Sequence, residues 1–327
     1  MTKLHSSRVL VTGGAGFIGS NLVETLLNQG NKVTCLDNFS TGKHQNIEEF
    51  KANPLFTLIE GDIRDQETCH KACSGVEYIL HQAALGSVPR SINDPVTSTE
   101  VNIDGFVKML IAARDSGVKR FVYAASSSTY GDHQALPKVE DVIGKPLSPY
   151  AITKYVNELY AKVFADLYGM ETIGLRYFNV FGKRQDPEGE YAAVIPKFIR
   201  SLINGKPPVI NGDGSQSRDF TYIDNVVQIN QLALLTSNPS AINTVYNVAF
   251  GENTTLNELY SYLVRFLSKH NADIEWIIPT YGPNRQGDVK HSLASIDKAR
   301  TLLGYDPQYS LKEGLEKAID WYVDSLE

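Results

Sequence analysis

VTGGAGFIGSNLVETLL, residues 11–27, sets four glycines, Gly13, Gly14, Gly16 and Gly19, between an apolar β-branched run and a helical run. Glycine lets a chain turn tightly, bring its backbone against a pyrophosphate and pack a helix close to a strand. A helix opening there offers unpaired N–H groups and its positive dipole end to the phosphates. The spacing satisfies the dinucleotide fingerprint in either of two registers, so a strand–turn–helix that binds a dinucleotide is expected.

Reading outward, apolar runs at 8–13, 32–37, 55–62, 76–84, 118–126 and 171–179 alternate with helical patterns at 17–29, 43–51, 65–73, 99–116 and 148–168. Strands this apolar, separated by helices, imply βαβ units and a parallel sheet covered on both faces. The fold class is therefore α/β, a Rossmann-type doubly wound parallel sheet over residues 1–178. Residues 179–327 read as a smaller mixed α/β C-terminal lobe, with helices near 192–204, 224–237, 255–268 and 311–325 and strands at 220–223, 245–249 and 274–278. FTYIDNVVQINQLALL (220–235) resembles another strand–helix unit, so part of 218–250 can return to the first domain.

Asp37 ends the second strand, where a carboxylate accepts hydrogen bonds from the adenosine ribose. It would repel a 2′-phosphate, and neighbouring Asn38 and Phe39 supply no arginine to hold one, so the cofactor is read as NAD. Asp62, ending the third strand, is a weaker adenine-side candidate.

YAITK (150–154) sets Tyr150 and Lys154 four positions apart, on one helical face. Free tyrosine titrates near pH 10, and a nearby ammonium favours the phenolate, so Lys154 is expected to lower the pKa of Tyr150 and bind the nicotinamide ribose. Ser126, ending the fifth strand, can orient a substrate hydroxyl and share its proton with Tyr150.

Composition excludes several classes. The 327 residues are 42% hydrophobic and 21% charged, enough for a sizeable core. A net charge of −6 argues against a nucleic-acid partner. Three cysteines, Cys35, Cys69 and Cys73, read as reduced thiols. No apolar signal core or run of about 18 apolar residues occurs, so a cytoplasmic protein without a membrane partner is expected. Seven histidines lack ligand spacing, and no metal is expected.

TGGAGFIG, Asp37, HQAA, the serines before TYG, YAITK and LRYFNVFG together resemble the extended short-chain dehydrogenase/reductase family, across essentially the whole chain and in order. Within it the similarity is to nucleotide-sugar 4-epimerases, which oxidise C4 with bound NAD, turn the 4-keto sugar over and return the hydride to the other face. The resemblance implies Ser126, Tyr150 and Lys154 as catalytic residues. It implies NAD contacts at Gly13, Gly16, Phe17, Ile18 and Gly19, then at Asp37, Asn38, Phe39, Ser40, Thr41 and Gly42. Further NAD contacts follow at Asp62, Ile63, Gln82, Ala83, Ala84, Asn102, Tyr150, Lys154 and Phe178.

For the second lobe the resemblance implies a UDP-sugar site. Asn179, Arg218 and Arg285 match diphosphate-contacting positions, and an arginine fork suits phosphate oxygens. Lys197 and Asp288 are weaker candidates. Related dehydratases carry Asp-Glu immediately after the catalytic Ser or Thr, whereas this chain has Ser127 and Ser128. In 4-epimerases the residue seven places beyond the loop arginine lies beside the sugar C2 substituent; here it is Ser292, where a tyrosine would crowd an acetamido group. Gly86, Ser127 and Ala193 are expected to line the same pocket, alongside Ser126 and Tyr150, with Gln185 adding a polar contact. The resemblance also implies a homodimer through helices 99–116 and 148–168, although their apolar residues Val107, Leu110, Ile111, Val156, Leu159 and Val163 could equally be buried within one chain.

Overall fold

In the computed structural model, which describes residues 3–187, 193–283 and 290–326, strands β1 (Arg8–Thr12), β2 (Lys32–Asp37), β3 (Phe56–Glu60), β4 (Tyr78–His81), β5 (Arg120–Ser126), β6 (Thr172–Tyr177) and β7 (Thr244–Val248) form one sheet. Its order is β7-β6-β5-β4-β1-β2-β3 and every pairing is parallel. The chain runs outward from β1 through β2 to β3, then crosses back to β4 on the other side of β1. That reversal opens a crevice at the carboxyl ends of β1 and β4, the place where open α/β sheets bind ligands. The sheet is Rossmann-like.

The strand period of two distributes side chains to two cores. Val9 and Val11 join a cluster with Leu80, Val122, Ile173 and Leu175. Leu10 and Leu36 instead join Ile79, Phe121 and Tyr123 on the opposite face. Helix α1 (Phe17–Asn28) packs on the first face, and α2 (Gln66–Cys73) and α3 (Phe106–Asp115) on the second. Helix α4 (Pro149–Tyr168) carries the YAITK motif. Ser148 caps it by accepting from Ala151 N–H, Pro149 opens it, and Gly169 closes it at φ +66°. The second half contributes α5 (Val194–Ile203), α6 (Ile223–Leu235), α7 (Leu256–Leu267), α8 (Asp297–Leu303) and α9 (Leu311–Asp324). Strand β7 lies beside β6 in register Tyr246 to Leu175, so the segment after residue 218 supplies the outermost strand of the main sheet.

Three sequence-based elements differ. The helix expected at 43–51 is two 3-10 turns, His44–Asn46 and Glu48–Phe50, because Asn46 Nδ2 and Lys43 N–H both donate to Ala15 O and tie this stretch to the glycine loop. The strand expected at 274–278 is a 3-10 turn over Ala272–Trp276, started by Asn271 accepting from Asp273 N–H. The helix expected at 99–116 is interrupted by a π-helical turn over Glu100–Gly105. All three cysteines are buried and free. Among the described residues no helix is long and apolar enough to cross a membrane.

Candidate active site

The glycine turn closes against the sheet. Gly13, at φ +66°, lies so near Ala83 that a Cβ there would stand 2.7 Å from its backbone nitrogen, and a Cβ on Gly19 would stand 2.1 Å from Gly13 O. Larger residues would displace both. The N-cap of α1, Gly16, has no side chain to satisfy the first amides of the helix. These uncapped amides border a cavity of about 370 Å³ lined by Gly13, Gly16, Phe17, Ile18 and Gly19 at one end. Its middle is formed by Asp37, Asn38, Ser40, Thr41, Asp62, Ile63, Gln82, Ala83 and Ala84, and its far end by Gly86, Ser126, Tyr150 and Lys154.

Asp37 is 8% exposed. Its Oδ2 accepts from Ala15 N–H at 2.9 Å and its Oδ1 from Phe39 N–H at 2.8 Å, which aims the carboxylate at the cavity. Burial pushes its carboxyl up, and these amides oppose the push. Asp62 is held at about 2, chiefly by the Arg64 side chain, and also accepts from Asn38 Nδ2 at 2.8 Å. The donor set and the glycine cradle fit NAD: amides for a pyrophosphate, carboxylates for ribose hydroxyls.

Four expected cofactor contacts, Phe39, Gly42, Asn102 and Phe178, stand elsewhere than on the cavity wall. Asn102 is buried behind it, accepting from Leu85 N–H at 2.8 Å and donating to Leu85 O at 3.1 Å and Thr153 Oγ1 at 3.1 Å. Phe39 stacks on His44 at 3.7 Å and contributes its amide to Asp37. Phe178 faces a second cavity, while its neighbour Tyr177 faces the first. Adjacent residues of an extended strand point to opposite sides, a signal that could have identified Tyr177 from the sequence. Gly42 stands against Asp37, where a Cβ would lie 2.9 Å from both carboxylate oxygens.

At the far end Tyr150 and Ser126 stand together on the cavity wall, and Ser126 Oγ accepts from Ser128 N–H at 3.2 Å and Ser128 Oγ at 2.9 Å. Lys154 is 3% exposed and donates to Ala124 O at 2.9 Å. Burial pushes its ammonium down to about 8. The Tyr150 phenol is pushed upward by burial, with the neighbouring Ser126 hydroxyl opposing. The expectation that Lys154 lowers the phenol is not met by the chain alone: the ammonium is turned to Ala124 O and desolvation dominates.

Ser126 belongs to both cavities. The second, of about 300 Å³, is lined by Ser126, Ser127, Ser128, Tyr130, Lys138, Phe178, Asn179, Arg218, His291 and Ser292 among others, and none of the described residues lining it is Asp or Glu. Asn179 and Arg218 also line a third cavity of about 270 Å³ with Gln185, Ala193 and Asn211. Of the small residues expected in one pocket, Ser127 and Ser292 share the second cavity, Gly86 lines the first and Ala193 the third. Lys197 is exposed on α5 and lines none of these three cavities. Arg285 and Asp288 lie outside the described residues. Sequence reasoning missed Lys138 and His291, which reach the second cavity from loops without a motif. No group of three or more His, Cys, Asp or Glu positioned for a metal occurs among the described residues.

The profile of the NAD dependent epimerase/dehydratase family matches residues 9–249. The UDP-glucose 4-epimerase of Mycolicibacterium smegmatis is 36% identical over 317 residues, 96% of this chain and 98% of that protein. A solved UDP-N-acetylglucosamine 4-epimerase from Methanobrevibacter ruminantium, in complex with UDP-N-acetylmuramic acid, superposes with TM-score 0.91 at 38% identity, covering 98% of this chain and 100% of that one. The Thermus thermophilus UDP-glucose 4-epimerase, solved with NAD, superposes with TM-score 0.83 at 34% identity, covering 96% and 98%.

Proposed function

The chain belongs to the NAD dependent epimerase/dehydratase family, and from that premise we propose that it is a 4-epimerase interconverting UDP-N-acetylglucosamine and UDP-N-acetylgalactosamine through a 4-keto sugar. NAD held in the first cavity supplies the hydride acceptor and donor. Tyr150 takes the proton of the C4 hydroxyl and later returns it, and Ser126, beside it on the cavity wall, orients that hydroxyl. Lys154 keeps a positive charge beside the cofactor cavity. Arg218 and Asn179 bind the diphosphate where the second and third cavities meet.

The observation that carries this reading is Ser126, facing the cofactor cavity and the sugar cavity at once, with no carboxyl among the described residues of the latter. A dehydratase needs such an acid beside its catalytic hydroxyl, and Ser127 and Ser128 cannot serve. The acetylated substrates are favoured because Ser127 and Ser292, both small, share the sugar cavity. A second reading, UDP-glucose/UDP-galactose 4-epimerase, is supported by the Mycolicibacterium smegmatis relative, and small side chains also admit those sugars.

The deciding measurement is kcat/KM for all four UDP-sugars, with wild type and Ser292→Tyr. Turnover of the acetylated pair should be high in wild type and nearly abolished in Ser292→Tyr, with the plain hexoses spared. A wild type that prefers UDP-galactose, or a tyrosine variant that still turns over the acetylated sugars, rules the acetylated specificity out.

A further inference from the structure

The substrate side of the cleft rests on no single rigid element. Asn179 follows β6, Arg218 lies in the two-residue strand Ser217–Arg218, and Ser292 comes from a segment much later in the chain. These segments converge on Asp219, which is fully buried. Its Oδ1 accepts from Phe250 N–H at 3.1 Å and from Gly251 N–H at 3.3 Å. Its Oδ2 accepts from Ala294 N–H at 3.2 Å and from Gly251 N–H at 3.3 Å. Its carbonyl oxygen accepts from Asn179 Nδ2 at 3.0 Å.

The flanking bonds extend the tie to the ligand-facing residues. Ser217 O accepts from Ser292 N–H at 3.1 Å, and Ser217 Oγ bonds His291 Nδ1 at 2.9 Å. Arg218 Nη1 donates to Ser217 O at 2.9 Å and Lys290 O at 3.2 Å. Burial pushes the Asp219 carboxyl up to about 7 against the pull of its amide donors. A carboxyl retained in so unfavourable a setting, with amides from two separate segments converging on it, is a structural clamp rather than a solvated charge.

We propose that Asp219 is a positioning residue for the substrate: its carboxylate locks residues 250–251 and 294 against the strand bearing Arg218, and so holds Asn179, Arg218 and Ser292 at the spacing a nucleoside diphosphate sugar requires. This rests on the proposed function for the identity of the ligand. None of the residues bonded to the Asp219 carboxylate lines the cofactor cavity. A clamp for substrate therefore predicts a selective loss, whereas a general packing role predicts loss of cofactor and fold together.

The test compares wild-type holoenzyme with Asp219→Asn, which keeps the volume but turns a donor toward amides that need an acceptor. UDP affinity by calorimetry, KM against kcat for the UDP-sugar, bound NAD by absorbance and thermal unfolding are measured together. Loss of charge-assisted bonds should raise the UDP dissociation constant and KM by about 10-fold or more, with kcat changed little and bound NAD unchanged. A folded variant whose UDP affinity stays within about two-fold of wild type, or which loses NAD in proportion to UDP, overturns the proposal. Should the variant fail to fold, hydrogen exchange on wild type replaces it: saturating UDP should slow exchange in peptides covering 217–222, 249–252 and 290–295, and unchanged exchange there also overturns it. UDP binding does not depend on turnover, so a wild type that binds UDP yet converts no sugar would remove the epimerase reading without touching this one.

Discussion

Tyr150 and Lys154 sit one turn apart, and both have been moved from their ordinary acidities by the same cause. Burial pushes the phenol up and the ammonium down from 10.5 to about 8. Tyr150→Phe removes the acid/base hydroxyl and keeps the packing, so kcat should fall by about 10²–10⁴-fold; a variant within a few-fold of wild type would exclude that role. Lys154→Met makes the opposite pair of changes. The depression of its pKa corresponds to about 3 kcal/mol of destabilisation by the buried charge, and the lost bond to Ala124 O returns part of it. The variant should thus be inactive yet more stable by about 1–2 kcal/mol in urea melts. Because the folded pKa lies below the unfolded one, the cost of the charge is full below pH 8 and fades as pH rises toward 10.5. The gain should shrink over that same window; a gain independent of pH would refute the cause. These two residues were legible in the sequence because their spacing encodes a shared face. Asp219 was not, since its partners Phe250, Gly251 and Ala294 are brought to it by the fold and are bonded through backbone amides that no side chain announces.

Helix α4 shows how much of an element its sequence specifies. Ser148, Pro149 and Gly169 mark its ends, and Ala151, Asn157, Ala161 and Phe164 mark its buried face. The opposite face keeps an apolar stripe exposed: Ile152 at 50%, Leu159 at 49%, Val163 at 47% and Leu167 at 68%. Their spacing of three or four places them in one row, with half-buried Val156 between them. On α3, Leu110 is instead buried inside the chain, and Val107 and Ile111 are half-buried. We propose that a second copy covers this stripe, making a homodimer. Leu159→Arg together with Val163→Arg should convert it to monomer in sedimentation velocity; a wild type sedimenting as monomer at micromolar concentration would refute the dimer. Elements without such end signals were less legible. The 43–51 stretch has helical composition, but Asn46 and Lys43 are tied to Ala15 O, and that contact overrides local propensity. At 274–278, Trp276 and Ile278 stand 80% and 77% exposed, so the apolar run buries little and follows the Asn271 cap instead.

At the scale of the molecule, a buried ion pair within the first half is linked onward to the strand that the second half adds to the sheet. Arg176 on β6 and Glu158 on α4 form a bidentate pair at 2.8 and 2.7 Å, 3% and 9% exposed as residues, and Arg176 also reaches Glu140 O at 2.9 Å. Glu140 Oε1 in turn accepts from Asn247 N–H of β7, so the pair anchors the outermost strand. Arg176→Met leaves Glu158 buried without its partner and should cost about 3–5 kcal/mol in denaturant unfolding; a cost below about 1 kcal/mol would show the pair to be idle. Such pairing between β6, α4 and a distant loop left no trace in local periodicity, whereas the alternation of strands with helices and the glycine turn did. The three cavities meet at shared residues, Ser126 between the first and second, Asn179 and Arg218 between the second and third. A ligand long enough to cross both boundaries is held at its two ends by separate grips, so one end can let go while the other stays seated. For a UDP-sugar this is a leash: a ring released from Ser126 and Tyr150 remains at an effective concentration in the millimolar range or above. On the proposed function, such a ring would be recaptured on either face before it escapes to bulk solvent.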